Sequence, residues 1–210
     1  MSGTRRPHFS RQRGFTLLEL LIALSIVAAL LAIAFGGLRV ALASWRQGES
    51  RAEAHQHVRG LASVLARAVE GAAPYRGARG EAPENVILFR GTETSLEFVT
   101  RVAPYPFALP IAFTAVVIGQ GESEGQGLVV KQRALPNRNP FTDAVASLTD
   151  PSVSRLTFRY LDATGEWRDS WDGSSEQEIP QAIEISLVAN LEGRTLSLPP
   201  LTVAVRTTKP

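Results

Sequence analysis

The chain has 210 residues, which suffices for one membrane segment and one modest domain. Its 22 Lys and Arg against 20 Asp and Glu give a formal charge of +2, but Arg5, Arg6, Arg11 and Arg13 all fall within residues 1–14. Without that stretch 18 basic residues face 20 acidic ones, a charge of −2, so the balance argues against nucleic acid as a partner, and the absence of cysteine excludes disulfides, thiol chemistry and thiolate metal sites.

From Phe15 to Leu38 only Thr16, Glu19 and Ser25 are polar. A membrane span needs about 20 apolar residues, and this run is long enough. The four arginines ahead of it predict a cytoplasmic start, with everything after Arg39 exported. Glu19 is the anomaly. A charge inside an apolar helix costs roughly 2.5–3.5 kcal/mol on insertion scales for Asp, Lys or Arg. It needs a partner. A cut between Gly14 and Phe15 would supply one, because the new α-amine of Phe15 lies one helical turn from Glu19. The same pair could form between neighbouring subunits. A plain signal anchor satisfies the hydropathy without any cut. So does a secretory signal released before Phe35, after the small-x-small sequence Ala32-Ile33-Ala34, but its apolar region would exceed the usual length and Glu19 would have no role. Arg5-Arg6 as a twin-arginine address is compromised by Pro7.

The helical pattern continues past the apolar run. Leu38, Leu42 and Trp45, then Val58, Leu61, Leu65 and Val69, recur at three- and four-residue steps, which predicts one apolar stripe. Gly36-Gly37, Gly48 and Gly60 are points where bends or local breaks are expected. Gly71 and Pro74 end the pattern, so the helix is predicted over about Phe15 to Glu70. Residues 71–80 read as a turn-rich connector. The period then becomes two. Strands are predicted at Val86–Phe89, Leu96–Val99, Ala115–Ile118, Leu128–Lys131, around Leu156, Phe158 and Tyr160, around Ile183, Ile185 and Leu187, and from Thr195 to Arg206. Pro199-Pro200 interrupts the last of these and predicts an edge or a crossover between sheets.

Two segments carry a family resemblance. The basic stub, then Gly14-Phe15-Thr16-Leu17-Leu18-Glu19 and the apolar run, resembles the class III signal of type IV pilins and type II secretion pseudopilins. The C-terminal part runs Leu156-Thr157-Phe158-Arg159-Tyr160-Leu161-Asp162, Gly165-Glu166-Trp167, Trp171, then Ile179-Pro180-Gln181-Ala182-Ile183-Glu184-Ile185. Over about residues 153–190 it resembles the J-type minor pseudopilins. The resemblance implies an α+β, pilin-like fold: a long N-terminal helix, apolar then amphipathic, followed by an antiparallel β domain of two small sheets. It divides the chain into a leader (1–14) removed by prepilin peptidase, a transmembrane and filament-core helix (15–38), its amphipathic continuation (39–70) and a periplasmic β-rich domain (71–210). It implies cleavage after Gly14, N-methylation of Phe15 and an assembly role for Glu19. The implied function is structural, in the tip complex of the type II secretion pseudopilus with I-type and K-type partners, at the inner membrane, with no cofactor, nucleic acid or small-molecule substrate. A minor pilin of a type IV pilus or DNA-uptake machine, and a membrane-anchored periplasmic domain, are the alternatives.

Other motifs are weaker. Gly121-Glu122-Ser123-Glu124-Gly125 fits the hydrolase nucleophile pattern, but His8, His55 and His57 all precede it and no helix is expected after it. Glu53, His55 and His57 form a cluster, but histidines two residues apart on a helix point to different faces, so a solvated face is expected. Asp169, Asp172 and Glu176 are calcium candidates, since some pseudopilins hold calcium in a loop of the β region; the alternating spacing of an EF-hand is absent and Trp171 stands between them. Phe158, Tyr160, Trp167 and Trp171 are expected to be core rather than a ligand box.

Overall fold

The computed structural model describes residues 15–78, 85–105, 111–121, 127–191 and 193–205. Two compact units compose the chain, Met1–Ala52 and Glu53–Pro210. Helix α1, Leu17–Glu70, runs unbroken for 54 residues. Neither the glycine pair at 36–37 nor Gly48 or Gly60 interrupts it, so the expected weak points remain helical. It begins two residues later than predicted because Thr16 acts as its cap. The Thr16 hydroxyl accepts the Glu19 N–H at 3.2 Å, while the Glu19 carboxylate accepts the Thr16 N–H at 2.9 Å. This reciprocal capping box satisfies two otherwise orphaned donors.

In the first unit every residue from 15 to 49 is exposed. The predicted continuous stripe therefore holds only in part: Leu38, Leu42 and Trp45 are bare, whereas Val58, Leu61, Leu65, Ala68 and Val69 are buried. At the helix end the Thr100 hydroxyl donates to the Ala68 carbonyl at 2.7 Å, and Arg101 N–H donates to the Gly71 carbonyl at 2.9 Å. These bonds occupy carbonyls that a helix C-terminus leaves open.

The strands follow in order: β1 Arg76–Gly77, β2 Val86–Ile87, β3 Phe89–Gly91, β4 Ser95–Thr100, β5 Thr114–Gln120, β6 Leu128–Ala134, β7 Val145–Asp150, β8 Val153–Leu161, β9 Trp167–Arg168 and β10 Trp171–Asp172. A one-turn helix α2, Gly173–Glu176, precedes β11 Ala182–Leu191, β12 Arg194–Ser197 and β13 Leu201–Ala204. β1 and β2 form a small ribbon. A six-stranded sheet has the order β10-β3-β4-β5-β6-β7, and a five-stranded sheet has β12-β11-β8-β9 with β13 also on β11. Neighbours within each sheet are antiparallel. β12 and β13 lie along successive stretches of β11, so Pro199-Pro200 marks a broken edge rather than a crossover.

One core joins the helix end and both sheets. It takes Leu61 and Leu65 from α1, Phe89, Phe98 and Ile118 from the larger sheet, and Leu156, Phe158 and Ile183 from the smaller. Tyr160 fastens the sheets together. Its ring lies edge-on to Phe89 at 6.2 Å, and its hydroxyl donates to the Thr92 carbonyl at 2.8 Å. A Cβ at Gly91 would overlap that ring, so the close approach requires glycine.

Candidate functional site

The helix start is the first candidate. Gly14 lies outside the described residues; Phe15 is 88% exposed. Glu19 is the lone carboxylate of the helix from Leu17 to Gln47, and its Oε2 accepts from Thr16 at the backbone N–H and at the hydroxyl (3.1 Å). Ser25, the other polar side chain between Leu17 and Leu38, returns its hydroxyl to the Leu21 and Ile22 carbonyls, both at 2.9 Å. The apolar run thus presents almost no unsatisfied polar side chain, as a lipid environment demands. Sequence reasoning overlooked the role of Thr16, although Thr-x-x-Glu ahead of an apolar run is a capping signature.

Within the second unit the polar side chains make structural joints. Asp150, Asp162 and Asp172 share one construction: an Oδ1 accepts the N–H and the hydroxyl of the residue two places on, Ser152, Thr164 and Ser174, at 2.9 Å and 2.6 Å in each case. Such Asx turns hold the chain at a corner. Burial alone would raise the Asp150 carboxyl, but Ser152 and His57 outweigh it and hold it below its ordinary value. His57 Nε2 stands 2.6 Å from Asp150 Oδ2, so this histidine is a strap from α1 to the β7–β8 corner rather than part of a purely solvated face. Asp162 is brought down to about 2 by the Thr164 hydroxyl and the Glu166 N–H, and Arg168 lies against its other oxygen at 2.8 Å.

The calcium candidates are not gathered. Asp169 meets Arg159 at 3.4 Å, Asp172 caps α2, and Glu176 meets Arg168 at 3.1 Å. Among the described residues no group of three metal-ligating side chains converges. Phe158, Tyr160 and Trp171 are core, as predicted; Trp167 is only half-buried, with the Arg159 guanidinium 5.8 Å over its ring. Trp171 donates its indole N–H to the Glu178 carbonyl at 3.0 Å. Ser123 of the hydrolase-like motif lies outside the described residues.

The geometry is therefore a bare apolar helix with a capped, acidic start, and a β domain in which Asp150, Asp162, Asp172 and Tyr160 make structural joints. Comparison with known proteins agrees. Residues 9–35 match the prokaryotic N-terminal methylation motif, and residues 36–195 match the family "Type II secretion system (T2SS), protein J". The chain is similar to Type II secretion system protein J of Xanthomonas campestris pv. campestris, at 27% identity over 206 residues that cover 93% of each chain. The chain belongs to the protein J family of the type II secretion system and is a minor pseudopilin of that machinery.

Proposed function

We propose that this pseudopilin matures by cleavage between Gly14 and Phe15 and N-methylation of Phe15, and that Glu19 then neutralises an N-terminal amine as the helix leaves the bilayer and enters the pseudopilus. The observation that carries the reading is the position of Glu19. It is a single carboxylate at the start of an uncovered apolar helix, bonded to Thr16 N–H one residue from the scissile bond. In the precursor it caps the helix. After cleavage the adjacent amine is a cation, and a charge-assisted bond is about twice as strong as a neutral one. Leaving that charge unpaired in lipid is costly, which favours subunits whose amine and carboxylate are matched.

The leader arginines support an N-terminus held in the cytoplasm, with residues 71–210 in the periplasm. Residues 15–38 then form the membrane and filament-core segment. As a member of this family the protein works with other components of the secretion machinery. The resemblance further supports a seat in the tip complex, with I-type and K-type minor pseudopilins as partners. The family is structural, and a catalytic role is not part of the reading.

Intact mass and N-terminal sequencing of the protein from its native membrane test the processing. A start at N-methylated Phe15 is expected. A start at Phe35, or an uncut Met1, would overturn the proposal. A Glu19→Ala protein is expected to be processed yet to enter pseudopili poorly; normal entry would remove the role given to Glu19.

A further inference from the structure

The apolar surface of α1 does not stop at Leu38. Between Leu17 and Ser44 the only charges are Glu19 and Arg39. At roughly 1.5 Å per residue this stretch is about 40 Å long. The hydrocarbon core of a bilayer is only about 30 Å thick, and the full bilayer with headgroups about 40–45 Å. With Glu19 at one boundary of the core, Leu38 reaches the other about 28 Å on, residues 39–42 rise through the far headgroup layer, and the backbone of Trp45 and Arg46 stands at its outer edge. Their chemistry fits that layer. Trp45 is 75% exposed, and Leu38 and Leu42 continue its stripe toward the helix start. Arg39 and Arg46 are exposed and seven residues apart, which puts them on one face two turns from each other. Helical side chains lean toward the N-terminus, so the Trp45 ring reaches back toward the lipid.

We propose that Leu38–Arg46 is a lipid-binding collar, in which the Trp45 indole sits at the glycerol level of the leaflet and Arg39 and Arg46 bind phospholipid phosphates. Continuity with the apolar span and charge complementarity select the lipid headgroup as the occupant. Amphipathic aromatic rings concentrate at this depth, and arginine stems extend their charged heads to it. The collar fixes how far the helix sits in the bilayer before extraction. It rests on the membrane anchoring of α1, and does not depend on which leaflet is cytoplasmic.

Trp45 is one of three tryptophans, so the difference between the native chain and a Trp45→Phe variant isolates its fluorescence. The full chain is reconstituted at low density into phosphatidylethanolamine–phosphatidylglycerol vesicles containing lipids spin-labelled at acyl carbon 5 or 16. Quenching of the Trp45 component by the shallow label is expected to exceed that by the deep label about twofold or more. An Arg39→Gln/Arg46→Gln chain is expected to lose much of that preference. Stronger quenching by the deep label, or none by either in chains that float with the vesicles, overturns the collar but leaves the anchor intact. A chain that does not float overturns both. Quenching that disappears as protein density rises assigns the face to a second copy and also overturns the proposal.

Discussion

From Leu17 to Glu49 no residue of α1 is covered, whereas Val58, Leu65, Ala68 and Val69 of the same helix are fully enclosed. The bare part is the more apolar of the two. Burial in this molecule follows the arrangement of apolar residues rather than their number: where they surround the helix its partner is lipid or other helices, and where they form a stripe flanked by Arg59, Arg67 and Glu70 the partner is its own β domain. A water-soluble core and a membrane surface are thus written on one continuous element.

The largest test of that contrast exchanges the same chemistry in the two regions. Phe98→Ala empties a fully buried site and is expected to cost about 3–5 kcal/mol in the domain's denaturant unfolding. Leu30→Ala, at a site 61% exposed, is expected to change domain unfolding in detergent by less than about 0.5 kcal/mol. Equal losses would mean that the apolar half contributes to the domain's fold. Gly91→Ala should come next. Its methyl group would overlap the Tyr160 ring, and forced overpacking costs about 1–3 kcal/mol, read as a lower thermal midpoint. An unchanged midpoint would mean that the junction between the sheets yields readily.

The smallest effect concerns acid. The Asp162 carboxyl is lowered from 3.8 to about 2 on folding, so the stability it contributes is present above the unfolded value and is lost as pH falls through the folded one. Asp162→Asn should therefore be less stable than the native chain at neutral pH, with the gap closing between about pH 4 and pH 2. A gap independent of pH in equilibrium unfolding would deny the charge a role.

Much of this architecture is legible in the sequence because single residues punctuate it. Gly71 and Pro74 mark the end of α1, and the alternation of Leu156, Phe158 and Tyr160 or of Ile183, Ile185 and Leu187 marks β8 and β11. β7 escapes the same reading. Its sequence Val145-Ala146-Ser147-Leu148-Thr149-Asp150 has few strong apolar residues, it is an edge of the larger sheet, and its register slips between the partners of Val130 and Lys131. α2 escapes because glycine and serines are poor helix formers, and the turn is held by the Asp172 cap, by Gln177 N–H donating to the Gly173 carbonyl and by packing of Gly173 close to Ile87. At the candidate site, Glu19 is conspicuous as a charge among apolar residues. The strap between His57 and Asp150 joins residues 93 positions apart, and no local pattern contains it.

The three aspartate corners bear on where such a domain can fold. With no cysteine in the chain, its tight reversals at Asp150, Asp162 and Asp172 are clipped by carboxylates that gather the hydroxyl and amide two residues ahead. The clasps at Asp150 and Asp162 weaken as protons are added, and all three are indifferent to electrons. The domain can close without an oxidant or a correct pairing of sulfurs, and it holds no disulfide for a reductant to cleave.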